Sequence, residues 1–275
     1  MSDSSSPVFL FDNDDPAMQS AYENARATFR YFWREVAWER RRIVPGLDLA
    51  VFKAPFSDGN PSDTKSATPQ VEQMWLSDAD FDGQSVSGVL MNEPNWLKTV
   101  KAGDTGRFLL GQITDWMYVI DGDVYGAYTV NLLRSRMKPQ ERAQHDAAWG
   151  LNFGDPNKIR VVPDGYKKSS GGFLKNLFGK ARTEIGEHPM SINMAPSLKA
   201  QLVQDPTAVS TPDDQGWTYL HHEALAGNLA TVKVLLEHGA DPQVKTRQGR
   251  TPLQLAKSLN WDQVVELLEG SPKRL

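Results

Sequence analysis

The chain of 275 residues contains no cysteine and only five histidines. Disulfide bonds, thiolate metal sites and cysteine nucleophiles are therefore excluded. No apolar run approaches the roughly 18 residues that a membrane helix needs. Residues 1–15 are acidic, whereas the start of a signal peptide is basic. We therefore expect a cytoplasmic protein with no membrane span, no metal and no cofactor.

A strong net charge and the common catalytic motifs are also missing. The formal charge of −4 provides no general attraction to nucleic acid. The sequence contains no Gly-x-Ser-x-Gly elbow, no phosphate-binding loop and no His-Glu-x-x-His, the motifs that mark many hydrolases, nucleotide-binding proteins and zinc enzymes. These absences predict no nucleic acid partner and favour a nonenzymatic function.

What the sequence does contain is a repeat near its end. The segment GWTYLH, which begins at Gly216, returns as GRTPLQ at Gly249, an offset of 33 residues. Each copy supplies a turn glycine, a threonine able to cap a helix and a leucine for the core, and a second apolar helix follows. The period and the pattern resemble ankyrin repeats. The resemblance implies two all-α repeats over residues 211–275 that hold another macromolecule.

The first repeat departs from the ankyrin pattern at two positions. Tyr219 stands where the pattern has proline, and Glu223 stands at a small, inward-facing alanine position. A buried carboxylate needs a partner, which we expect to be His222 or a basic residue from outside the repeats. Because an ankyrin array needs roughly three repeats to be stable, we also expect this pair to pack against the rest of the protein.

Residues 1–155 predict one α+β domain. Apolar residues recur at helical spacing over residues 17–42, which indicates an amphipathic helix. Several β-rich segments follow, and the last two, WMYVI and VYGAYTV, are joined through Asp121 and Gly122, a strong hairpin signal. We expect an antiparallel sheet with flanking helices, the last of them at residues 139–149 and covering one face.

Several segments of this domain are familiar. They are ATFRYFWREVAWERRRIVPGLDLAVFKAPF, MNEPNWLKTVKAGD, ITDWMYVIDGDVYGAYTVN and ERAQHDAAWGLNFGDP. They resemble the bacterial YegJ-like domain of unknown function, which occurs in fusions with a short ankyrin tail. EHPMSINMAPSLKAQL, residues 187–202, is similar to the junction of such fusions, and we expect it to pack the two domains together. The family carries no established catalytic residues to this sequence.

Residues 156–210 are interpreted as a basic linker and docking segment. Between Lys158 and Arg182 there are seven basic residues and one acidic residue. The stretch includes Ser-Ser-Gly-Gly, typical of a flexible linker, and FLKNLFGKAR from Phe173, whose apolar residues share one helical face. This short helix could bind a membrane surface or a partner, or dock on the protein itself. Docking is favoured because the apolar stripe, from Phe173 to Ala181, spans only nine residues with Gly179 among them, which makes a marginal membrane anchor.

Two groups of polar residues invite a catalytic or metal-binding interpretation. Asp78, Asp80 and Asp82 match the opening of a calcium loop, but valines 86 and 89 occupy its ninth and twelfth positions, so the ligand set cannot close; a polar turn is expected instead. The other group, on the helix at 139–149, is Glu141, His145 and Asp146. A structural role is favoured for these three. A hydrolase would have to use Asp104, Asp115 and Asp121, which no motif selects.

The sequence therefore predicts a nonenzymatic protein that binds another protein. The expected binding surface comprises the exposed turns and first helices of the repeats: Trp217, Tyr219, His222, Arg247, Gln248 and Arg250. By analogy with bacterial immunity proteins, the partner is hypothesised to be a toxin effector. A regulatory or scaffold protein that uses the same surface is the alternative. An enzyme with an unrecognised carboxylate site in the first domain is a further one.

Overall fold

The N-terminal part of the protein opens with a long helix that ends earlier than the sequence predicts. The computed structural model describes residues 15–58, 71–168 and 184–271. Asp15 caps the start of helix α1 (Pro16–Glu39), and its carboxylate accepts a hydrogen bond from the backbone N–H of Ala17 at 2.9 Å. The helix predicted at residues 17–42 is confirmed, although its last three residues form a turn instead.

A six-stranded antiparallel sheet follows α1. Its strands, in chain order, are β1 (Leu49–Ser57), β2 (Val71–Phe81), β3 (Ser85–Leu90), β4 (Thr105–Leu109), β5 (Asp115–Ile120) and β6 (Asp123–Gly126). Their order across the sheet is β4-β3-β2-β1-β5-β6. Asp121 and Gly122 both have positive φ and join β5 to β6 in the tight turn that two-residue hairpins favour. The predicted sheet and hairpin are confirmed.

Helix α1 packs across one face of this sheet. Phe52, Leu76 and Trp116 are neighbours in adjacent strands and share a buried cluster with Phe29 and Phe32 of α1. The indole N–H of Trp116 donates to the backbone oxygen of Ala25 at 2.7 Å. The cluster fixes α1 on the sheet, with its C-terminal end directed toward the last part of the chain.

The helices after β6 differ from the prediction. The run VYGAYTV was read as a strand, but β6 ends at Gly126, and residues Tyr128–Arg136 form α2. The carboxylate of Asp115 accepts the backbone N–H groups of Tyr128 and Thr129, both at 2.8 Å, and this cap overrides the strand propensity of the sequence. Helix α3 (Pro139–Trp149) forms as expected but buries none of its residues, so it does not cover the sheet.

The C-terminal part is helical and contains the two predicted ankyrin repeats. They are α5 (Tyr219–Ala226) with α6 (Leu229–Glu237), and α7 (Pro252–Ser258) with α8 (Asp262–Glu269). Thr218 precedes α5, and its backbone N–H donates to Nδ1 of His221 at 3.0 Å. Burial lowers the pKa of His221, which keeps the ring neutral and able to accept this bond. The Thr218 hydroxyl also lies 3.0 Å from the same Nδ1.

Helix α4 (Pro189–Gln204) precedes the two repeats and packs against α6. Leu202 of α4, Leu235 of α6 and Leu268 of α8 are all buried in one cluster at 33-residue steps. Helix α4 therefore continues the row of second helices by one repeat. The sequence reasoning, which treated residues 187–202 as a docking segment, did not recognise this register.

One hydrophobic core runs from the sheet into the repeats. Leu225, Leu255 and Leu259 belong to the same buried cluster as Phe29 and Phe81. The expectation that the repeats lean on the rest of the protein is therefore confirmed. A short pair of strands, β7 (Lys167–Lys168) and β8 (Glu184–Ile185), lies beside this junction. The amphipathic helix predicted from Phe173 falls outside the described residues.

Candidate functional site

The junction between the domains is built around Glu223 of α5. Glu223 is buried, and its carboxylate accepts hydrogen bonds from Arg41 at 2.5 Å and from Asn228 and Thr231 at 2.7 Å each. The sequence predicted that the partner of Glu223 is either His222 or a basic residue from outside the repeats. Arg41 follows α1 and lies outside the repeats, so the second alternative is confirmed. His222 instead contacts Asp213, with 3.3 Å between Nε2 and Oδ2.

A second polar cluster lies beside the first one. The indole N–H of Trp38 donates to Asn228 at 3.1 Å, and the Trp38 ring stacks on His188 at 5.5 Å between centroids. Nδ1 of His188 accepts the N–H of Met190, so Nε2 carries the proton in the neutral ring and can donate to Glu35 at 3.2 Å. The contacts of Trp38 and Glu35 join α1 to the C-terminal part, so together they hold the two domains in one arrangement.

Tyr166 completes this cluster. Its hydroxyl lies 3.1 Å from Nε2 of His188, and burial raises the pKa of Tyr166 to about 12. The hydroxyl is therefore un-ionised at neutral pH. The buried guanidinium of Arg34 donates to the backbone oxygen of Gly186 at 3.1 Å and lies over the Tyr166 ring. Within the described residues, Nε and Nη2 of Arg34 and Oε1 of Glu35 have no hydrogen-bond partner, so this buried cluster is only partly satisfied. The contacts that it does make position the junction.

A cavity of about 800 Å³ opens next to these clusters. Helices α1, α4, α5 and α6 and the turn after α1 line it; the residues are Trp33, Ala37, Trp38, Arg40, Arg41, Arg42, Ile43, Val44, Met190, Met194, Ser197, Leu198, Gln201, Tyr219, His222, Glu223, Leu225 and Thr231. Ile43 is 99% exposed and Val44 is 76% exposed. Exposed apolar side chains grouped at a cavity are typical of a binding site.

The six residues predicted to bind a partner do not share one surface. Tyr219 and His222 line the cavity, and both are exposed. Arg247 and Gln248 are exposed in the turn before α7. The remaining two residues contact the protein itself. Trp217 is half-buried against the shared core, and the Arg250 guanidinium donates to Gln84 of the N-terminal domain.

Sequence reasoning missed the part of the cavity that α1 and α4 supply. Trp33, Trp38 and Met194 lie at helical spacing among other apolar residues, so nothing in their pattern distinguishes a cavity wall from a core. The carboxylate of Glu223 at an alanine position was the signal that led toward this junction. The Arg41 side chain that pairs with this carboxylate comes from a position 182 residues away in the sequence.

The three candidate hydrolase carboxylates are not brought together. Asp115 begins β5, and Asp121 follows the end of the same strand. Asp104 precedes β4, at the opposite edge of the sheet. The calcium-like motif is divided in the same way, because Asp80 pairs with Arg40 at 2.8 Å and Asp82 pairs with Arg107.

His145 and Asp146 have structural contacts. The Asp146 carboxylate accepts two hydrogen bonds from the buried Arg134 guanidinium, at 2.7 and 2.6 Å, and Nδ1 of His145 lies 3.0 Å from it. Partial burial acts to raise the pKa of Asp146, but the hydrogen bonds from Arg134 and His145 outweigh it and hold the pKa below its ordinary value. The ion pair between Asp146 and Arg134 joins α3 to α2.

The fold and the cavity define a class of protein: an α+β domain joined to ankyrin repeats, an architecture with a protein-interaction role. A model of ankyrin repeats matches residues 191–272. A model described as an uncharacterised protein family conserved in bacteria, DUF2314, matches residues 15–153, slightly more than half of the chain. The chain belongs to this family.

Three relatives agree with this assignment. An ankyrin repeat protein of Neisseria meningitidis is 39% identical over 265 residues, which cover 96% of this chain and 97% of the relative. The YegJ protein of Escherichia coli is 29% identical over 86 residues, 31% of this chain and 50% of YegJ. The E. coli ankyrin repeat protein YahD is 35% identical over 77 residues, 26% of this chain and 38% of YahD.

Two further observations concern the described part of the chain. Within residues 15–58, 71–168 and 184–271, no helix is both long enough and apolar enough to cross a membrane. Within the same ranges, no group of three or more histidine, aspartate or glutamate side chains is placed to hold a metal ion.

Proposed function

We propose that this protein is a cytoplasmic, nonenzymatic binding protein and that its partner docks where the first ankyrin helix meets the cavity. The observation that carries the proposal is the exposure of Tyr219 and His222 beside Ile43 and Val44. Apolar and aromatic side chains at the centre of a surface commonly dominate the energy of a protein interface. Arg247 and Gln248 extend the proposed surface along the exposed turn.

The test compares co-purification of partners by the full-length chain and two double variants. Tyr219→Ala with His222→Ala removes the exposed side chains at the cavity, and Arg247→Ala with Gln248→Ala removes those at the turn. We expect the first pair to abolish capture of a stoichiometric partner and the second pair to weaken it. Point variants are preferred to deletion of the repeats, because deletion would remove Leu225 and expose the N-terminal residues of the core that it joins.

Arg250 supplies the control for this experiment, since it is one of two predicted surface residues, with Trp217, that contact the protein itself. Both belonged to the predicted surface, but Trp217 packs on the core and Arg250 contacts Gln84. Arg250→Gln should therefore leave capture unchanged. Equal capture by the wild-type chain and by the Tyr219 and His222 variant would reject the proposed surface. A search that recovers no stoichiometric partner would reject the binding function.

Immunity against a toxin is the particular role that we propose within this function. Its support is the combination of a small bacterial α+β domain with a short ankyrin array, together with the analogy to immunity proteins. The measurement is survival of cells that produce the product of the neighbouring gene, with and without this protein. Protection by the wild-type chain is expected, and its absence would leave a regulatory or scaffold role, in which several partners bind the same surface.

A further inference from the structure

The cavity coincides with a gap in the ankyrin array. First helices α5 and α7 pack against each other, and second helices α4, α6 and α8 form a parallel row beside them. The row of second helices thus has one member more than the row of first helices in the described residues 184–271. Leu202 at one period before Leu235 fixes α4 as the second helix of an additional repeat.

The chain does not build the first helix of that additional repeat. One period before α5, the register assigns this helix to residues 186–193. Within the described residues 184–204, this stretch leaves β8, passes through His188 in an extended conformation and enters α4 at Pro189. The contact of His188 with Glu35 holds it there. Residues 186–193 are thus committed to the junction and to the start of α4.

The missing helix leaves one stripe of α5 without a neighbour from the array. Tyr219, His222 and Glu223 form this stripe. Their equivalents one period later, in α7, are Pro252, Leu255 and Ala256, all of them buried; α7 has α5 beside it, and Leu255 also joins the core shared with the N-terminal domain. In α5 the first two are exposed, and Glu223 is instead covered by Arg41. The polar character of the α5 stripe is what a surface without a permanent helical neighbour requires.

Three helices surround the resulting space. Met190, Met194 and Gln201 form a stripe along α4, and the C-terminal end of α1 closes the third side. A helix as long as α5, of 8 residues, is about 12 Å long and about 10 Å wide, roughly 900 Å³ as a cylinder. The cavity has about 800 Å³. We propose that the cavity binds a short amphipathic helix of a partner protein, which takes the place of the missing first helix.

The chain's own N-terminal segment does not fit this role. Its apolar residues 8–11 reach at most about 25 Å from Asp15 when fully extended. Helix α1, which begins next to Asp15, has 24 residues and is about 36 Å long, and the cavity lies at its far end. Residues 173–182, outside the described residues, carry Lys175, Lys180 and Arg182, the same sign of charge as the cavity.

The charge of the cavity selects the chemistry of the partner helix. Its lining contains Arg40, Arg41 and Arg42; Arg41 pairs with Glu223, and Arg42 pairs with Glu39 at 3.2 Å. The Arg40 side chain is 47% exposed although it pairs with Asp80, and a guanidinium has five N–H donors. The structure therefore favours a helix with one apolar face and with aspartate or glutamate at the end that meets the arginines. This inference rests on the proposed function and gives the partner a defined form.

The probe is a library of stapled helical peptides about 12 residues long, with apolar residues at i, i+3, i+4 and i+7 and acidic ends. Binding to the full-length chain is measured by fluorescence polarisation. Ser197→Trp fills the cavity, and Lys199→Trp, at an exposed position of α4 outside the lining, is the matched control. We expect selected peptides to lose at least about tenfold in affinity with Ser197→Trp and to bind Lys199→Trp as they bind the wild-type chain.

A peptide control tests the requirement for a helix, since one proline in the middle of a selected peptide should abolish binding. Affinity that is unchanged by Ser197→Trp would overturn the proposal. Tighter peptide binding after Phe173→Ser and Leu177→Ser would also overturn it, because the chain's own segment would then be the occupant of the cavity. A dimer that Ser197→Trp dissociates would overturn it as well, because the occupant would then be a second copy of the chain. If Ser197→Trp left a co-purified partner bound while Tyr219→Ala with His222→Ala released it, the proposed function would stand without this inference.

Discussion

Glu223 connects the two domains through a single side chain. It is buried, whereas the Arg41 side chain that pairs with it is 35% exposed. Arg41→Met keeps much of the side-chain volume but leaves the buried carboxylate without its cation. We expect a loss of about 2–3 kcal/mol in the free energy of unfolding, since one face of the pair remains hydrated. Chemical denaturation measures this loss.

The control for this prediction is a double-mutant cycle. Glu223→Ala restores the residue that the ankyrin pattern has at this position, and it removes the need for the Arg41 charge. The double variant with Arg41→Met should therefore be more stable than Arg41→Met alone. Additive losses in the two single variants would show that the pair is not coupled.

Asp146 predicts a pH dependence. Its pKa lies below the ordinary value because its bonds with Arg134 and His145 outweigh partial burial. The bonds thus contribute stability above the unfolded-state pKa, and this stability is lost as pH falls through the lower folded-state pKa. Asp146→Asn should cost about 1.5–3 kcal/mol at pH 7, and the difference from the wild-type chain should shrink on acidification. A difference that is constant from neutral to acid pH would contradict the assignment.

Of the ion pair between Glu223 and Arg41, the sequence indicated only Glu223. Glu223 is out of place in an ankyrin pattern, so its need for a partner followed from the sequence. Arg41 did not, because it follows α1 among charged neighbours and only the packing of α1 against the repeats brings it near Glu223. Likewise, Tyr219 and His222 were predicted to be exposed, while the burial of Trp217 depends on contact between the domains.

Helix α2 shows how an element depends on a residue distant from it. The Asp115 carboxylate accepts the N–H groups of Tyr128 and Thr129 and the Thr129 hydroxyl, at 2.5–2.8 Å. Lys53 pairs with Asp115 across β1 and β5 and donates to Thr129 at 3.0 Å. Burial lowers the pKa of Lys53, so its charged form depends on the nearby carboxylate.

Asp115→Ala should therefore loosen the start of α2. It removes the cap and leaves Lys53 without its nearby negative charge, and we expect a loss of about 3–5 kcal/mol. Hydrogen exchange should show reduced protection at residues 128–131, with smaller changes in the repeats. Asp121→Asn, in the turn after β5, is the control, because it removes a carboxylate while asparagine tolerates the positive φ at this position. Unchanged exchange at residues 128–131 would show that α2 does not need this cap.

The sequence signals for elements were reliable where they were local. The continuous apolar run of β5 and the Asp121-Gly122 turn predicted the hairpin, and the 33-residue repeat predicted α5 to α8. The start of α2 was missed because YTV favours a strand and its cap comes from Asp115. The additional repeat was missed because α4 preserves Leu202 at the right period while residues 186–193 form no first helix.

The N-terminal domain and the ankyrin repeats have different sequence patterns, but they share one hydrophobic core. Leu255 and Leu259 of the second repeat lie in the same cluster as Phe29 and Phe81. The Trp261 ring contacts Tyr31 at 6.0 Å between centroids. Periodicity indicated that these residues are apolar and inward-facing, but in an ankyrin array they would face another repeat. That they face α1 and the sheet follows from the contact between the domains.

This shared core predicts that the repeats do not fold by themselves. Residues 184–275 alone would expose Leu225, Leu255 and Leu259, which are at most 4% exposed in the whole protein, and two repeats with α4 lack a first helix at one end. We expect the isolated segment to show weak helical circular dichroism and no cooperative thermal transition. The full-length chain should unfold in one transition that helical and tryptophan signals report at the same temperature.

Leu255→Ala in the full-length chain tests the same coupling without removing a domain. Truncation of a buried leucine costs about 2–5 kcal/mol. Because Leu255 packs against residues of both parts, the midpoint should fall equally for the helical signal and for the Trp116 environment under α1. Lys257→Ala, on the same helix and with a side chain 52% exposed, should leave both midpoints nearly unchanged. Two separated transitions in Leu255→Ala would mean that the repeats unfold independently and that the contact at α1 orients them without stabilising them.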